Sequence, residues 1–475
     1  MARLFHLIGI AGTGMGAFAG LLKQAGHQVR GSDQNVYPPM SDQLDAWGID
    51  VRTPYAAQNL EPAPDLVVVG NVIRRANAEA SAMRDLQLPH ASFPETLGNL
   101  FLAERHSVVV AGTHGKTTTS TLIAHTLLHA GRDPGYLIGG IPRSSNPDAP
   151  AQESFRVGRA DAPFVVEGDE YDTAYFDKGP KFLHYHPRSL LCTSLEFDHA
   201  DIYNDVGEIQ ARFQQLFELM PTSGHLVCYV EDPALVEVLG RTTIQGRVET
   251  YGNARADWQA TELREDESGI RFLARYQGQD AGELKVSLSG QHGASNAIGA
   301  YAILRGLGLS HPEIAAGYAS FAGVKRRMEV IGKAQSVTVI DDFAHHPTAV
   351  ATTLAGAKAR YAGRPMWAFF EPRSATSCRR VFQDAYAQAF ACADRVLLAP
   401  PGRQLDPGQA LDVPKLAADI QARGTPADAF GSIEDMLDSA LQAPPADAVF
   451  LCMSNGAFGG IHQRLLAGLS ATESK

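Results

Sequence analysis

The 475-residue chain is 45% hydrophobic and 20% charged, the composition of an ordinary soluble globular protein long enough for about three domains. Its net charge of -11 comes with no basic run and excludes a general affinity for nucleic acid or for an anionic membrane surface, so any anion must be held by a local site. The cysteines Cys192, Cys228, Cys378, Cys392 and Cys452 form no C-x-x-C pair, and neither a signal peptide nor an apolar run of about 18 residues is present; a reducing, cytoplasmic compartment is expected.

Residues 4–10 read as a buried strand that enters Ala11-Gly12-Thr13-Gly14-Met15-Gly16 and then an apolar helix. Residues 29–33 read as the next strand and end in Asp33, where a dinucleotide-binding fold places a ribose contact. Residues 66–70 form a third. The glycine order, G-x-x-G-x-G-x-G, is never G-x-G-x-x-G, which points away from a nicotinamide and towards a diphosphate-bearing ligand. Tight turning and helix packing are the other use for such glycines. Residues 86–105 carry Pro89 and Pro94 and read as a linker.

The strongest signal follows. Ser107, Val108, Val109, Val110 and Ala111 run into Gly112-Thr113-His114-Gly115-Lys116-Thr117-Thr118, which opens onto a helix. Strand, glycine turn and helix N-terminus surround a phosphate chain with N–H groups, Lys116 adds a cation, and Thr117 offers a hydroxyl to magnesium. Val110 stands where the usual loop has its first glycine, so this is a shorter variant for ATP. Two further apolar strands end in Glu167-Gly168-Asp169-Glu170-Tyr171-Asp172 and in Glu196-Phe197-Asp198-His199. In a parallel sheet these ends lie beside the loop, where carboxylates suit magnesium; solvated acidic turns are the alternative. His199 suggests a second metal or a role near the transferred phosphate.

Residues 260–288 alternate as an antiparallel segment, and Asn296 opens a small-residue helix, where it could serve as a cap. Lys325, Arg326 and Arg327 place three cations in an acidic chain. A third set of strands ends in Asp341-Asp342-Phe343-Ala344-His345-His346, in Glu371-Pro372-Arg373-Ser374 and in Ser454-Asn455-Gly456, with helical runs between. A third doubly wound sheet is expected.

Taken together, the loop at Gly112, the runs from Glu167 and Glu196, His292 with Asn296, Arg326-Arg327 and Asp341 through Pro347 resemble the Mur ligases of bacterial cell-wall synthesis, over nearly the whole chain and in motif order. The run from Glu170 to Lys178, that from Leu195 to Ile202, and the tail from Ser454 to His462 are most similar to the murein-recycling branch. The resemblance implies an α/β, three-domain architecture: a Rossmann-like domain over 1–104 for UDP-N-acetylmuramate, a central P-loop ATPase domain over 105–327, and a Rossmann-like peptide domain over 328–475. It implies an ATP-dependent ligase that joins UDP-N-acetylmuramate to L-alanyl-γ-D-glutamyl-meso-diaminopimelate through an acyl phosphate, with ATP and Mg2+.

By the same resemblance Lys116, Glu167, His199 and Arg327 are catalytic, and Thr117, Glu167 and His199 are metal ligands. Gly112, Thr113, His114, Gly115, Lys116, Thr117, Thr118, Asn296, Arg327, Asp342 and His346 contact ATP. Gly12, Thr13, Gly14, Met15 and Asp33 hold the UDP diphosphate, and Arg373, Ser454 and Asn455 face the tripeptide. The chain departs from the family in having Ser194 where asparagine is usual, no lysine between His199 and Glu231 for carbamoylation, and no Asp-Asn-Pro-Arg signature for diaminopimelate. The nearest rival is a UDP-N-acetylmuramate:L-alanine ligase; a nicotinamide oxidoreductase and a phosphate-loop switch come from other classes. No nucleic-acid or membrane partner is expected, and the expected assembly is a monomer or weak homodimer. Domain closure is expected because Arg327 and Asp342 follow the hinge.

Overall fold

The computed structural model describes residues 2–144, 153–200, 202–252, 254–403, 405, 406 and 408–472. The chain divides into two compact units. One comprises Met1–Glu196, Asp205–Gln259 and Ile298–Gly317; the other comprises Phe197–Asn204, Ala260–Ala297 and Tyr318–Lys475.

The first unit contains a five-stranded parallel sheet in the spatial order Asp50–Arg52, Gln28–Ser32, Leu4–Ile8, Leu66–Val69, His90–Ser92. Leu4–Ile8 is central and covered on both faces, with Phe5 and Leu7 on one and His6 and Ile8 on the other, all four fully buried. The chain leaves it towards one neighbour and later returns on the other side, so the loop that follows it, before helix Thr13–Gln24, sits at the topological switch point. The expected linker is not one. His90–Ser92 pairs with Leu66–Val69, and Phe93–Leu97 starts a helix capped by Ser92 Oγ. A three-residue edge strand is too short to show alternation, which is why it reads as a linker.

The same unit holds a second run of strands. The phosphate-loop strand Ser107–Ala111 lies between Phe164–Gly168 and Ser189–Cys192, parallel to both. His225–Tyr229 and Arg247–Gly252 extend the second side, and Gly135–Leu137 extends the first. Helix Lys116–His129 buries Thr119, Ser120 and Thr121 as well as Leu122, Ile123 and Leu127. It is covered nearly all round, so it lacks an amphipathic stripe.

In the second unit, Gly269–Tyr276 and Gln279–Val286 form an antiparallel hairpin, as the alternation predicts. A six-stranded sheet runs Glu329–Ala334, Val337–Asp342, Val449–Met453, Met366–Phe370, Arg395–Leu398, Ala427–Ala429, with only the first strand antiparallel. Neighbouring residues feed opposite cores: Ile340 and Phe370 pack with Val350, Tyr386 and Leu416, whereas Val339 and Phe369 pack with Met436, Phe450 and Leu465. Helices cover both faces, giving the doubly wound layer expected from the sequence.

Candidate functional site

In the first unit the phosphate loop is built by its own glycines and by the strand ends on either side. Gly112 has φ +140° and Gly115 has φ +83°, backbone that side-chain-bearing residues rarely adopt. A Cβ on Gly112 would lie 2.2 Å from Thr193 Oγ1 and 2.9 Å from the backbone N of Ser194. The loop is therefore pressed against the end of Ser189–Cys192. There Thr113 N donates to Ser194 O at 3.1 Å, His114 N to Ser194 Oγ at 2.9 Å, and Glu196 N to Thr113 Oγ1 at 2.8 Å. Ser194, the departure from the family pattern, thus contacts the loop directly with a short side chain. His114 Nε2 lies 3.0 Å from Glu196 Oε2.

On the other side Lys116 Nζ donates to Glu170 Oε2 at 2.9 Å and lies 3.9 Å from Asp169. Burial alone would lower the Lys116 pKa, but the charges of Glu170 and Asp169 outweigh it and raise it, so the ammonium is a fixed cation. Thr117 Oγ1 donates to Glu167 Oε2 at 3.0 Å, and Gly139 N donates to the other oxygen. Burial first, and then the charge of Asp169, push the Glu167 carboxyl upward. A carboxylate held against a hydroxyl in a site that disfavours its charge is a set of hard oxygen donors suited to a divalent cation, so Thr117 and Glu167 fit magnesium. Asp169 also accepts from Lys181 Nζ at 3.0 Å and Tyr171 OH at 2.9 Å. Lys181 carries no motif and is found only through the fold.

The residues named for the UDP diphosphate lie together at the start of helix Thr13–Gln24, which Gly12 precedes. The amides of Thr13, Gly14 and Met15 belong to its first turn and have no acceptor within the helix. Asp33 is beside them, but Ala11 N donates to its Oδ2 at 2.9 Å and Gln34 N and Tyr55 OH donate to its Oδ1 at 2.7 and 3.1 Å.

The second unit carries the remaining named residues. Asp342 is buried, and its oxygens accept from Met328 N and Ala344 N at 2.8 Å each. Burial raises its pKa, against the pull of Arg327. The Arg327 guanidinium lies 4.8 Å from the Phe343 ring centre. His346 caps helix Pro347–Arg360 by accepting from Thr348 N at 3.4 Å, and its Nε2 lies 3.2 Å from Phe197 O. His199 adopts φ +54° beside Asp198, which accepts from Thr376 Oγ1 at 2.7 Å. Burial would raise the Asp198 pKa; His199, that hydrogen bond and His345 hold it well below the usual carboxylate range. Asn296 is not a cap. It lies in the second turn of Gly290–Gly306, whose first amide donates to Glu265 at 3.1 Å.

Arg373 NH1 donates to buried Glu371 at 3.3 Å, and Ser454 Oγ donates to the other Glu371 oxygen. A Cβ on Gly402 or Gly456 would fall 2.9 Å or 2.1 Å from Arg373 side-chain carbons, so two glycines leave the channel in which this arginine lies. Asn455 Oδ1 is buried without a hydrogen-bond partner.

Three family models match in succession: the Mur ligase family catalytic domain over residues 4–105, the Mur ligase middle domain over 110–304, and the glutamate ligase domain over 326–456. The chain is 40% identical over 470 residues to the UDP-N-acetylmuramate--L-alanyl-gamma-D-glutamyl-meso-2,6-diaminoheptandioate ligase of Escherichia coli, covering 98% of each chain. It is 31% identical over 423 residues to a UDP-N-acetylmuramate--L-alanine ligase of Geotalea daltonii, covering 88% and 87%. The crystal structure of a murein peptide ligase from Psychrobacter arcticus superposes with a TM-score of 0.73 at 36% identity and 99% coverage of both chains. With the phosphate loop wedged between two acidic strand ends and three successive domains matched, the chain belongs to the Mur ligase family.

Proposed function

We propose that this ATP-dependent ligase joins the lactyl carboxylate of UDP-N-acetylmuramate to the amine of L-alanyl-γ-D-glutamyl-meso-diaminopimelate, in peptidoglycan recycling. The observation that carries this reading is near-full-length likeness to a ligase named for that tripeptide, at higher identity than to the L-alanine ligase. A carboxylate resists attack because the incoming electrons add to an anion. Its oxygen therefore first takes the γ-phosphoryl group as ADP leaves. The amine then attacks the acyl carbon, loses a proton, and inorganic phosphate departs.

Both partners of the first step are anions, so their approach needs fixed positive charge. Lys116 supplies it at the β- and γ-phosphates, with the amides of Gly112 through Thr118 around them. Thr117 and Glu167 would hold magnesium, which when bound would supply further charge neutralisation at the phosphates. We further propose that His199 serves a second metal, that Asn296, Arg327, Asp342 and His346 serve the nucleotide, and that Arg327 is the cation for the transferring group. UDP-N-acetylmuramate takes the residue 12–15 loop in domain 1–104, ATP takes domain 105–327, and the tripeptide takes Arg373, Ser454 and Asn455 in domain 328–475. A cytoplasmic location and a monomer or weak homodimer complete the reading.

Phosphate release from ATP and magnesium with UDP-N-acetylmuramate should occur with the tripeptide as acceptor and not with L-alanine. Release with L-alanine alone would make the chain the synthetic L-alanine ligase, and release with neither would remove the ligase reading.

A further inference from the structure

Among the described residues of the first sheet, one fully buried carboxylate collects four separate pieces of chain. Glu79 Oε1 accepts from Ala56 N at 3.0 Å and Asn59 Nδ2 at 2.6 Å. Its Oε2 accepts from His6 Nε2 at 3.0 Å and from Ser32 Oγ. Arg30 Nε donates to His6 Nδ1 at 3.2 Å, which leaves the proton on Nε2 for Glu79; the same guanidinium donates to Glu61 O at 3.2 Å. The first and second strands, helix Ala78–Asp85 and the segment around Tyr55 are thereby locked together. Burial would raise the Glu79 pKa, but the hydrogen bonds from His6, Ser32, Asn59 and Ala56 outweigh it and lower it, so the group is an anion. Burial first, and then Asp33, raise the Tyr55 pKa, so its hydroxyl stays a donor.

That segment delivers the Tyr55 hydroxyl to Asp33, whose other oxygen takes Ala11 N, the amide just ahead of the glycine turn. A carboxylate offers roughly four lone-pair sites, and four protein donors reach this one, Ala11 N at Oδ2 and Gln34 N, Tyr55 OH and, at 3.5 Å, Asn35 N at Oδ1, so both oxygens are committed to the protein.

We propose that Asp33 serves the first substrate by bracing the residue 12–15 loop rather than by contacting the ribose, with Tyr55 and Glu79 as the positioning residues that hold the brace. This rests on the reading that the loop takes the UDP diphosphate. The brace fixes the loop before the ligand arrives, so the helix amides meet the diphosphate without reorganisation.

The test is titration calorimetry of UDP, 2′-deoxy-UDP and 3′-deoxy-UDP against the full chain and its Asp33→Asn, Tyr55→Phe and Glu79→Gln variants, with melting temperatures and the KM for ATP alongside. Tyr55→Phe deletes only the hydroxyl and should weaken UDP about fivefold or more, with the KM for ATP unchanged. Asp33→Asn should weaken UDP and both deoxy analogues by the same factor. A penalty that vanishes with either deoxy analogue would overturn the proposal in favour of direct ribose contact. Unchanged UDP affinity in Tyr55→Phe would reduce the network to a structural role and overturn it as well, even if Glu79→Gln fails to fold. A wild-type chain that binds no UDP would instead overturn the substrate reading of the loop and this proposal with it.

Discussion

Arg373 shows how one side chain is made available by residues that have none. Its guanidinium is held by Glu371, yet 46% of the side chain is exposed, and the space it occupies exists because positions 402 and 456 are glycine. Gly456→Ala places a methyl carbon on the arginine, whose far end can move, so the cost in stability is small and the cost in position is large. We expect the KM for the tripeptide to rise about tenfold, as for loss of one charged hydrogen bond, with the KM for ATP unchanged. Steady-state kinetics with each substrate varied separately would check this, and an unchanged tripeptide KM would remove Arg373 from the acceptor site. Arg373 itself is legible in the sequence as a cation at a strand end. Gly402 is not, because nothing local marks a residue whose importance is the empty space beside it.

The phosphate loop is the element whose chemistry the sequence displays most completely. Apolar strand, glycine turn and helix are contiguous, so Lys116 and Thr117 are legible from the order of residues alone. Their partners are not contiguous. Glu167, Asp169 and Glu170 come from one neighbouring strand, and Ser194 and Glu196 from the other. Gly112→Ala cannot be absorbed here, since the new methyl carbon meets the Ser194 backbone as well as the Thr193 hydroxyl. The strained conformation costs roughly 1–3 kcal/mol, and the loop must shift. Titration with a non-hydrolysable ATP analogue should show loss of nucleotide binding while UDP binding is retained. Equal loss of both would indicate unfolding instead. Two elements mislead for the opposite reason: His90–Ser92 is too short to carry a pattern, and Asn296 has cap-like neighbours although Glu265, from a distant strand, accepts from the first helical amide.

Over the whole molecule, His6, which is fully buried, and His292, which is partly buried, set a dependence on acid. Burial lowers His292 from 6.5 to about 4, and burial also lowers His6, against the pull of Glu79. For both groups the folded pKa lies below the unfolded one. Their contribution is therefore complete above pH 6.5 and is lost as pH falls, when the unfolded chain takes up protons that the folded chain refuses. His292→Gln should make melting curves less sensitive between pH 7 and pH 4.5. The saving is about 1–2 kcal/mol, discounted because the ring is only half-buried. A slope identical to that of the parent chain would show that His292 titrates normally. Among the described residues, no helix is long and apolar enough to cross a membrane.

By itself the sequence determined the chemistry that can be written along a single stretch: two glycine turns at strand–helix junctions, a cation and a hydroxyl poised for phosphate, acidic strand ends, and three α/β layers. These follow from backbone sterics and side-chain period, which act between near neighbours. Only the tertiary structure decided which acid meets Lys116, that Ser194 contacts the loop, that Lys181 enters the acidic cluster, and that Asp33 turns to Ala11 and Tyr55. Such pairings are set by strand order and register, and residues far apart along the chain meet there because buried charges and donors must find partners wherever packing brings them.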